Sequence, residues 1–161
     1  MTPEETALVD QALRAAEGCA RRLRRSQRKL APLFPLTAQA IEGTSPEAED
    51  DLDAFMKRFE QLVSTVQDEL FKAIALLGGE DTRNLARREV TELMERLGAL
   101  PSAARFRTLV AIRNRIARVY PDRPERQASN LNEAFAAIGD LLAACERACH
   151  YLQDRRKDRG M

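Results

Sequence analysis

The residues best suited to chemistry lie on one predicted helix, over residues 102–121, with the sequence SAARFRTLVAIRNRIARVYP. At about 100° per residue, Arg113 falls near the centre of the apolar side of this helix, and Tyr120 lies almost in line with it. Because a guanidinium keeps its charge at neutral pH, burying it without a partner is costly. The sequence therefore leaves two roles open for Arg113. It pairs with a carboxylate of a neighbouring helix, or it lines a wet cleft and binds a phosphate or polarises a reacting group.

Further polar side chains collect towards the end of the same helix. Asn114 precedes Arg118 by four residues, so the two are neighbours on a continuous helix. The segment 102–126 is rich in arginine, whereas the segment 42–53, EGTSPEAEDDLD, is acidic. Locally clustered positive charge is what a phosphate backbone attracts. The candidate phosphate contacts are therefore Arg113, Arg115, Arg118 and Arg123.

One cysteine pair invites a metal interpretation. Cys145 and Cys149 are four residues apart, and His150 follows directly. No second pair completes four ligands, so we interpret the cysteines as small apolar residues on a helix seam. The sequence contains no glycine-rich phosphate loop, serine-hydrolase motif or zinc-protease motif, and we expect no metal or cofactor.

Two charged segments are candidates for a separate nucleic-acid or metal site. The run from Arg21 to Lys29 carries six positive charges and is either a nucleic-acid patch or a solvated helix face paired with the acidic segment 47–53. No aromatic residues are interleaved with it, which favours the solvated face. Three aspartates in 50–53 lack the spacing and the glycine of a calcium loop, so they indicate an acidic helix start.

Helical periodicity runs through most of the chain. Capping residues, prolines and glycines divide the apolar stripes into about five helices joined by short connections, with no convincing strand. Short connections favour antiparallel neighbours, so the predicted fold is an all-α, up-and-down helical bundle. The predicted helices cover about 3–30, 46–77, 82–97, 102–120 and 125–152.

Composition limits the classes of protein further. Hydrophobic residues make up 44% of the 161 residues, which is enough for a core, and 26 basic residues nearly balance 25 acidic ones. No apolar run reaches the roughly 18 residues that a membrane span needs, and the acidic N-terminal segment is unlike a signal peptide. An odd count of three cysteines suits a reducing compartment, so we expect a cytoplasmic protein.

The run RNRIARVYP (113–121) resembles the signature of HEPN-domain proteins, particularly the HepT-like toxins. Their motif is Arg, a polar residue that is often Asn, three further residues, His, any residue and Tyr. Arg113, Asn114 and Tyr120 match it, and Arg118 stands where the family has His. The order of helices around the motif is also similar, over about residues 48–153.

The resemblance implies a homodimer of helical bundles whose motif helices face each other across a cleft. Active members are metal-independent ribonucleases in which the RNA 2′-hydroxyl attacks the adjacent phosphate. The implied catalytic set here is Arg113, Asn114, Arg118 and Tyr120. The resemblance also makes RNA the expected source of the phosphate, so the predicted RNA contacts are Arg113, Arg115, Arg118 and Arg123. In HepT-like members a partner nucleotidyltransferase antitoxin attaches AMP to the motif tyrosine, which corresponds to Tyr120.

The arginine at position 118 limits what can be carried over. Arg118 cannot exchange a proton near neutral pH as a histidine can, and the only histidine, His150, lies outside the motif. One hypothesis is a HepT-like HEPN protein of a toxin–antitoxin pair, RNA-directed, with ribonuclease activity weakened or lost. The other is a non-catalytic helical binding protein that uses an Arg-lined dimer cleft for RNA, a nucleotide or a protein partner. In both, an N-terminal helix and ordered connection (1–45) precede a HEPN-like bundle (46–153) and a basic flexible tail (154–161).

Overall fold

A computed structural model describes residues 1–118 and 122–160, and every regular element within those ranges is helical. This confirms the predicted all-α class. None of the described helices is long and apolar enough to cross a membrane. The helices are α1 (Pro3–Leu30), α2 (Ala38–Glu42), α3 (Pro46–Thr65), α4 (Phe71–Leu77), α5 (Arg87–Leu97), α6 (Ala103–Ile116), α7 (Pro124–Ala136) and α8 (Ile138–Asp158), with a 3-10 turn at Ala31–Leu33 and a π turn at Val66–Leu70 that joins α3 to α4.

Several helix ends lie where the sequence predicts them. The Thr2 hydroxyl accepts a hydrogen bond from the Glu5 amide at 3.1 Å, and the Glu5 carboxylate accepts one from the Thr2 amide at 2.9 Å. Ser45 and Ser102 cap α3 and α6, each accepting from the amide three residues later. Helix α5 ends at Gly98, whose φ is +84°, a left-handed backbone conformation that residues with a Cβ rarely adopt. These local signals fix where α1, α3 and α6 begin and where α5 ends.

Helices α1 and α3 pack antiparallel. Near the middle of α1, the Cys19 sulfur lies 3.6 Å from the Thr65 hydroxyl at the end of α3. Near the end of α1, Lys29 pairs with Asp51 at the start of α3, at 2.9 Å. The contacts advance along one helix as they retreat along the other, as the predicted up-and-down packing requires.

The core is built largely on the long stripe of α3, the π turn and α4. The apolar residues predicted for this stripe are buried, apart from Met56, which is half-buried. Four phenylalanines are among the largest fully buried side chains, and burial of such rings contributes strongly to stability. These phenylalanines are Phe55, Phe59, Phe71 and Phe106.

The connection between α1 and α3 contains the 3-10 turn and the short helix α2. Asn132 of α7 holds it through two hydrogen bonds: its Oδ1 accepts from the Leu36 amide at 2.7 Å, and its Nδ2 donates to the Leu36 carbonyl at 2.8 Å. The rings of Phe34 and Phe135 stack with their centroids 4.0 Å apart. The connection is therefore tied to α7.

The predicted helix bounds are wrong at the start of α5 and within the last predicted helix. The helix expected from Thr82 begins only at Arg87, where the Glu89 carboxylate accepts from the amide of the preceding Ala86 at 3.1 Å. The last helix, expected to run unbroken from about 125, is divided at Ala137 into α7 and α8. Gly139 follows this division, and glycine is a weak helix former that permits such breaks.

The last helix also extends past its predicted end. The sequence predicts an end at about 152, whereas α8 continues to Asp158, into the predicted tail. Arg156 pairs with Asp10 of α1 at 2.6 Å, and Arg159 donates to the Leu77 carbonyl at the end of α4. These partners are distant in the sequence, so local composition could not reveal them.

Candidate functional site

Helix α6 positions the predicted motif, but it ends earlier than expected. The predicted helix continues towards Tyr120, whereas α6 stops at Ile116 and the Ala117 amide donates to the Arg113 carbonyl at 3.0 Å. Pro121 cannot continue a helix, so the sequence places the helix end before 121, but it contains no signal for an end at Ile116. Arg118 therefore follows the helix and does not stack on Asn114 as an i,i+4 neighbour. Tyr120 lies outside the described residues.

Arg113 is half-buried in the last turn of α6 and is held by two neutral amides. Its Nη1 donates to the Gln67 Oε1 at 3.0 Å, and its Nε and Nη2 both donate to the Asn114 Oδ1 at 3.3 Å. Within 1–118 and 122–160, no carboxylate forms an ion pair with it. The carboxylate partner that the sequence allowed is therefore not its partner in the described part of the chain.

Gln67 is placed by the π turn between α3 and α4. The Arg87 Nη1 also donates to the Gln67 Oε1, at 3.3 Å, and the Arg87 Nη2 pairs with Asp68 at 3.2 Å. We call Gln67, Asp68, Arg87, Arg113 and Asn114 the Gln67 cluster. It contains two guanidiniums and one carboxylate, so it carries one positive charge in excess.

Of the Gln67 cluster, the sequence alone indicates only Arg113 and Asn114. The π turn at 66–70 has no distinct sequence signature, because Val66 and Leu70 continue the apolar stripe of α3. Single π turns inserted into α-helices often occur at functional sites, since the extra residue changes the direction of neighbouring side chains. This local departure from α geometry accompanies the meeting of Gln67 with arginines from α5 and α6.

The other predicted RNA contacts do not join Arg113. Arg115 pairs with Glu133 of α7 at 2.5 Å, which compensates its charge. Arg118 is exposed beside a cleft between α3 and α7, and Arg123 is exposed just before α7. Arg115 and Arg118 therefore line one cleft, apart from Arg113 and its two amide partners.

The cleft beside Arg118 has a volume of about 660 Å³ and an apolar floor that includes Leu52, Ile116 and Leu131. Its charged side chains do not favour a phosphate, because carboxylates outnumber the cations. The carboxylates are Glu42, Glu49, Asp53 and Glu60, and the cations are Lys57, Arg115 and Arg118. This is therefore a mixed-charge cleft with an acidic excess.

His150 lies in a different part of the molecule. It is exposed on α8, beside a shallow groove that α8 forms with α1, together with Glu17 and Arg24. None of the residues 113–118 lines that groove. Within the described part of the chain, the Gln67 cluster therefore has no histidine to act as a general acid or base.

The two cysteines of α8 face the same groove. Cys145 is buried and Cys149 is half-buried, in keeping with their interpretation as residues of a helix seam. A hydrogen bond with Cys149 and burial raise the pKa of the Cys145 thiol, and the same hydrogen bond lowers the pKa of Cys149. Among the described residues, no group of three His, Cys, Asp or Glu side chains is arranged to hold a metal ion.

Comparisons of the chain with protein-family models, with curated proteins and with solved structures give no match.

Proposed function

We propose that this protein is a HEPN-like, RNA-directed binding protein that does not cleave RNA, and that Arg113 is the cation that binds an RNA phosphate. One observation carries the proposal: Arg113 is oriented by neutral amides and keeps an uncompensated charge at a half-buried position. Its own helix dipole offsets at most about half an elementary charge. A phosphate oxygen is the partner that best satisfies such a guanidinium.

The same geometry argues against catalysis. RNA cleavage through the 2′-hydroxyl needs a group that exchanges a proton near neutral pH, which arginine cannot do. Arg118 stands at the histidine position of the motif, and His150 lies in the groove between α1 and α8. Binding without cleavage is therefore the function that these side chains support best.

A direct test measures binding of a fluorescently labelled single-stranded RNA by anisotropy. Arg113→Ala should weaken binding about tenfold. It should also reduce the slope of log binding constant against log salt concentration by roughly 0.7, as expected for the loss of one phosphate contact on a single strand. Arg105→Ala is the matched control, because Arg105 lies on the same helix and already pairs with Asp140. Equal affinities for the two variants would contradict the role of Arg113.

A cleavage assay with the same RNA tests the second half of the proposal. Neither the wild type nor Arg118→His should cut it, because Arg118 lies beyond the end of α6 and outside the Gln67 cluster. Metal-independent cleavage by the wild type that Arg113→Ala abolishes would instead favour an active ribonuclease.

The resemblance also supports proposals about partners. We infer a homodimer in solution and a nucleotidyltransferase antitoxin that modifies Tyr120. Light scattering coupled to size exclusion tests the dimer. Co-expression with a neighbouring nucleotidyltransferase gene, followed by intact-mass measurement of wild type and Tyr120→Phe, tests the modification. An adduct of AMP mass on the wild type alone is the expected result, and an unmodified wild type would contradict it.

A further inference from the structure

A small pocket between α1 and α3 is surrounded by cations from both helices. It has a volume of about 220 Å³ and lies near the end of α1, beside the Lys29–Asp51 pair. Arg25 and Lys29 reach it from α1, and Arg58 reaches it from α3. We call this the α1–α3 pocket.

The charges of the α1–α3 pocket do not cancel. Lys29 pairs with Asp51 at 2.9 Å, so these two side chains neutralise each other. Arg25 and Arg58 have no carboxylate partner among residues 1–118 and 122–160. The nearby C-terminus of α1 offsets about half an elementary charge at most. More than one positive charge is left without a counterion.

Arg58 is held in place by a buried hydroxyl. Its Nη1 donates to the Ser26 Oγ at 2.8 Å, and Ser26 is only 3% exposed. Ser26 occupies a core-facing position of α1 between Leu23 and Leu30, where an apolar residue would pack at no polar cost. A polar residue that breaks the local pattern and orients a half-buried cation is typical of a binding site.

We propose that the α1–α3 pocket binds a phosphate monoester. Such a group carries a charge of about −1.5 to −2 at pH 7, which matches the two unpaired arginines. The pocket has room for about seven water molecules, enough for a phosphate head group but not for a whole nucleotide, whose sugar and base would extend into solvent. Inorganic phosphate, a free nucleotide and the 5′ end of an RNA share this chemistry. The proposal does not rest on Arg113.

The test titrates the protein with inorganic phosphate at low ionic strength and pH 7.5, followed by calorimetry and by amide NMR shifts. Arg58→Gln and Arg25→Gln should each weaken binding at least about tenfold, since hydrogen bonds to charged groups are among the stronger ones. Arg25 is exposed, so its substitution keeps the test valid should Arg58→Gln fail to fold. Arg96→Gln is the matched control, because Arg96 is an exposed arginine in the last turn of α5 and its substitution removes one positive charge away from the pocket.

Three results would overturn the proposal: no saturable phosphate binding, unchanged affinity in both pocket variants, or an equal loss in Arg96→Gln. Two further probes identify the source of the phosphate. Tighter binding of a 5′-phosphorylated RNA than of its 5′-hydroxyl form, lost in Arg58→Gln but kept in Arg113→Ala, supports an RNA end. Tighter binding of adenosine monophosphate than of either RNA supports a free nucleotide.

Discussion

Replacing Gln67 with Glu tests the Gln67 cluster with a change of almost no volume. The amide oxygen that Arg113 and Arg87 contact at 3.0 and 3.3 Å becomes a carboxylate oxygen. The variant keeps the acceptor and adds a negative charge. Stability and RNA binding should therefore change in opposite directions, which a general disruption of the fold cannot mimic.

The expected gain in stability is small. Arg113 is half-buried and the Arg87 side chain is 67% exposed, so solvent screens both new ion pairs. Partly exposed ion pairs contribute roughly 0.2–1 kcal/mol each, and together we expect about 1 kcal/mol. For a chain of this size, that raises the melting temperature by about 2–4 °C.

The expected loss of RNA affinity is larger, because the new carboxylate neutralises Arg113 and also repels a phosphate. We expect about tenfold weaker binding, equivalent to about 1.4 kcal/mol, and a shallower salt dependence. Gln61→Glu is the matched control: it makes the same chemical change at an exposed position of α3, outside the Gln67 cluster. Anisotropy with labelled RNA and differential scanning calorimetry measure the two effects.

RNA binding by Gln67→Glu equal to that of the wild type would contradict the role of Arg113, since the charge of Arg113 would then not contribute to binding. The prediction is wrong in that case. It also fails if Gln61→Glu weakens binding equally, because net charge alone would then explain the loss. A lower melting temperature in Gln67→Glu would contradict the hydrogen-bond geometry of the cluster.

Three further predictions concern stability and thiol chemistry. Asn132→Ala should lower the free energy of unfolding by about 2–3 kcal/mol, because the amide and the carbonyl of buried Leu36 both lose their hydrogen-bond partner. A loss under about 0.5 kcal/mol in thermal unfolding would contradict this. At pH 8, iodoacetamide should alkylate Cys149 before Cys145, since their hydrogen bond lowers the pKa of Cys149 and, with burial, raises that of Cys145; equal rates by mass spectrometry would contradict this. Gly98→Ala should lower the free energy of unfolding by about 1 kcal/mol, because φ is +84° at this position. Gly139→Ala should raise it by about 1 kcal/mol, because Gly139 lies in α8 and a Cβ there would meet open space, so calorimetry should find changes of opposite sign.

Local signals in the sequence predict much of the fold. Caps such as Thr2 and Ser45 act within four residues, and the stripe of α3 repeats every three or four residues, so both are legible in the chain itself. Pro121 limits the predicted motif helix, but the apolar spacing of Ile116 and Tyr120 extends the prediction past the observed end of α6 at Ile116. Periodicity continues through a helix end more easily than the backbone does.

Partners across the bundle could not be predicted. Whether Arg113 meets a carboxylate or an amide depends on the π turn, which brings Gln67 to α6 from 46 residues away. The separation of Arg115 from Arg113 likewise depends on Glu133, since only the packed helices place that carboxylate at α6. The sequence identifies a cation that needs a partner, but only the tertiary structure supplies the partner.

The arginines differ in the kind of group that accepts their hydrogen bonds, and this difference indicates which of them keep a charge available for binding. Arg105 and Arg115 meet carboxylates, so their charges serve the contacts of α6 with α8 and α7. Arg147 donates to the Gly98 carbonyl at a helix end, where the dipole already favours a cation.

Arg58 and Arg113 differ from these arginines, because side chains without charge orient them: a buried serine hydroxyl in one case and two amides in the other. A neutral acceptor fixes the direction of a guanidinium without discharging it, which lowers the entropic cost of binding an anion and retains the attraction. Under the two proposals, a chain with nearly balanced charge binds phosphate at two places, and substituting either neutral acceptor by a carboxylate should weaken binding there.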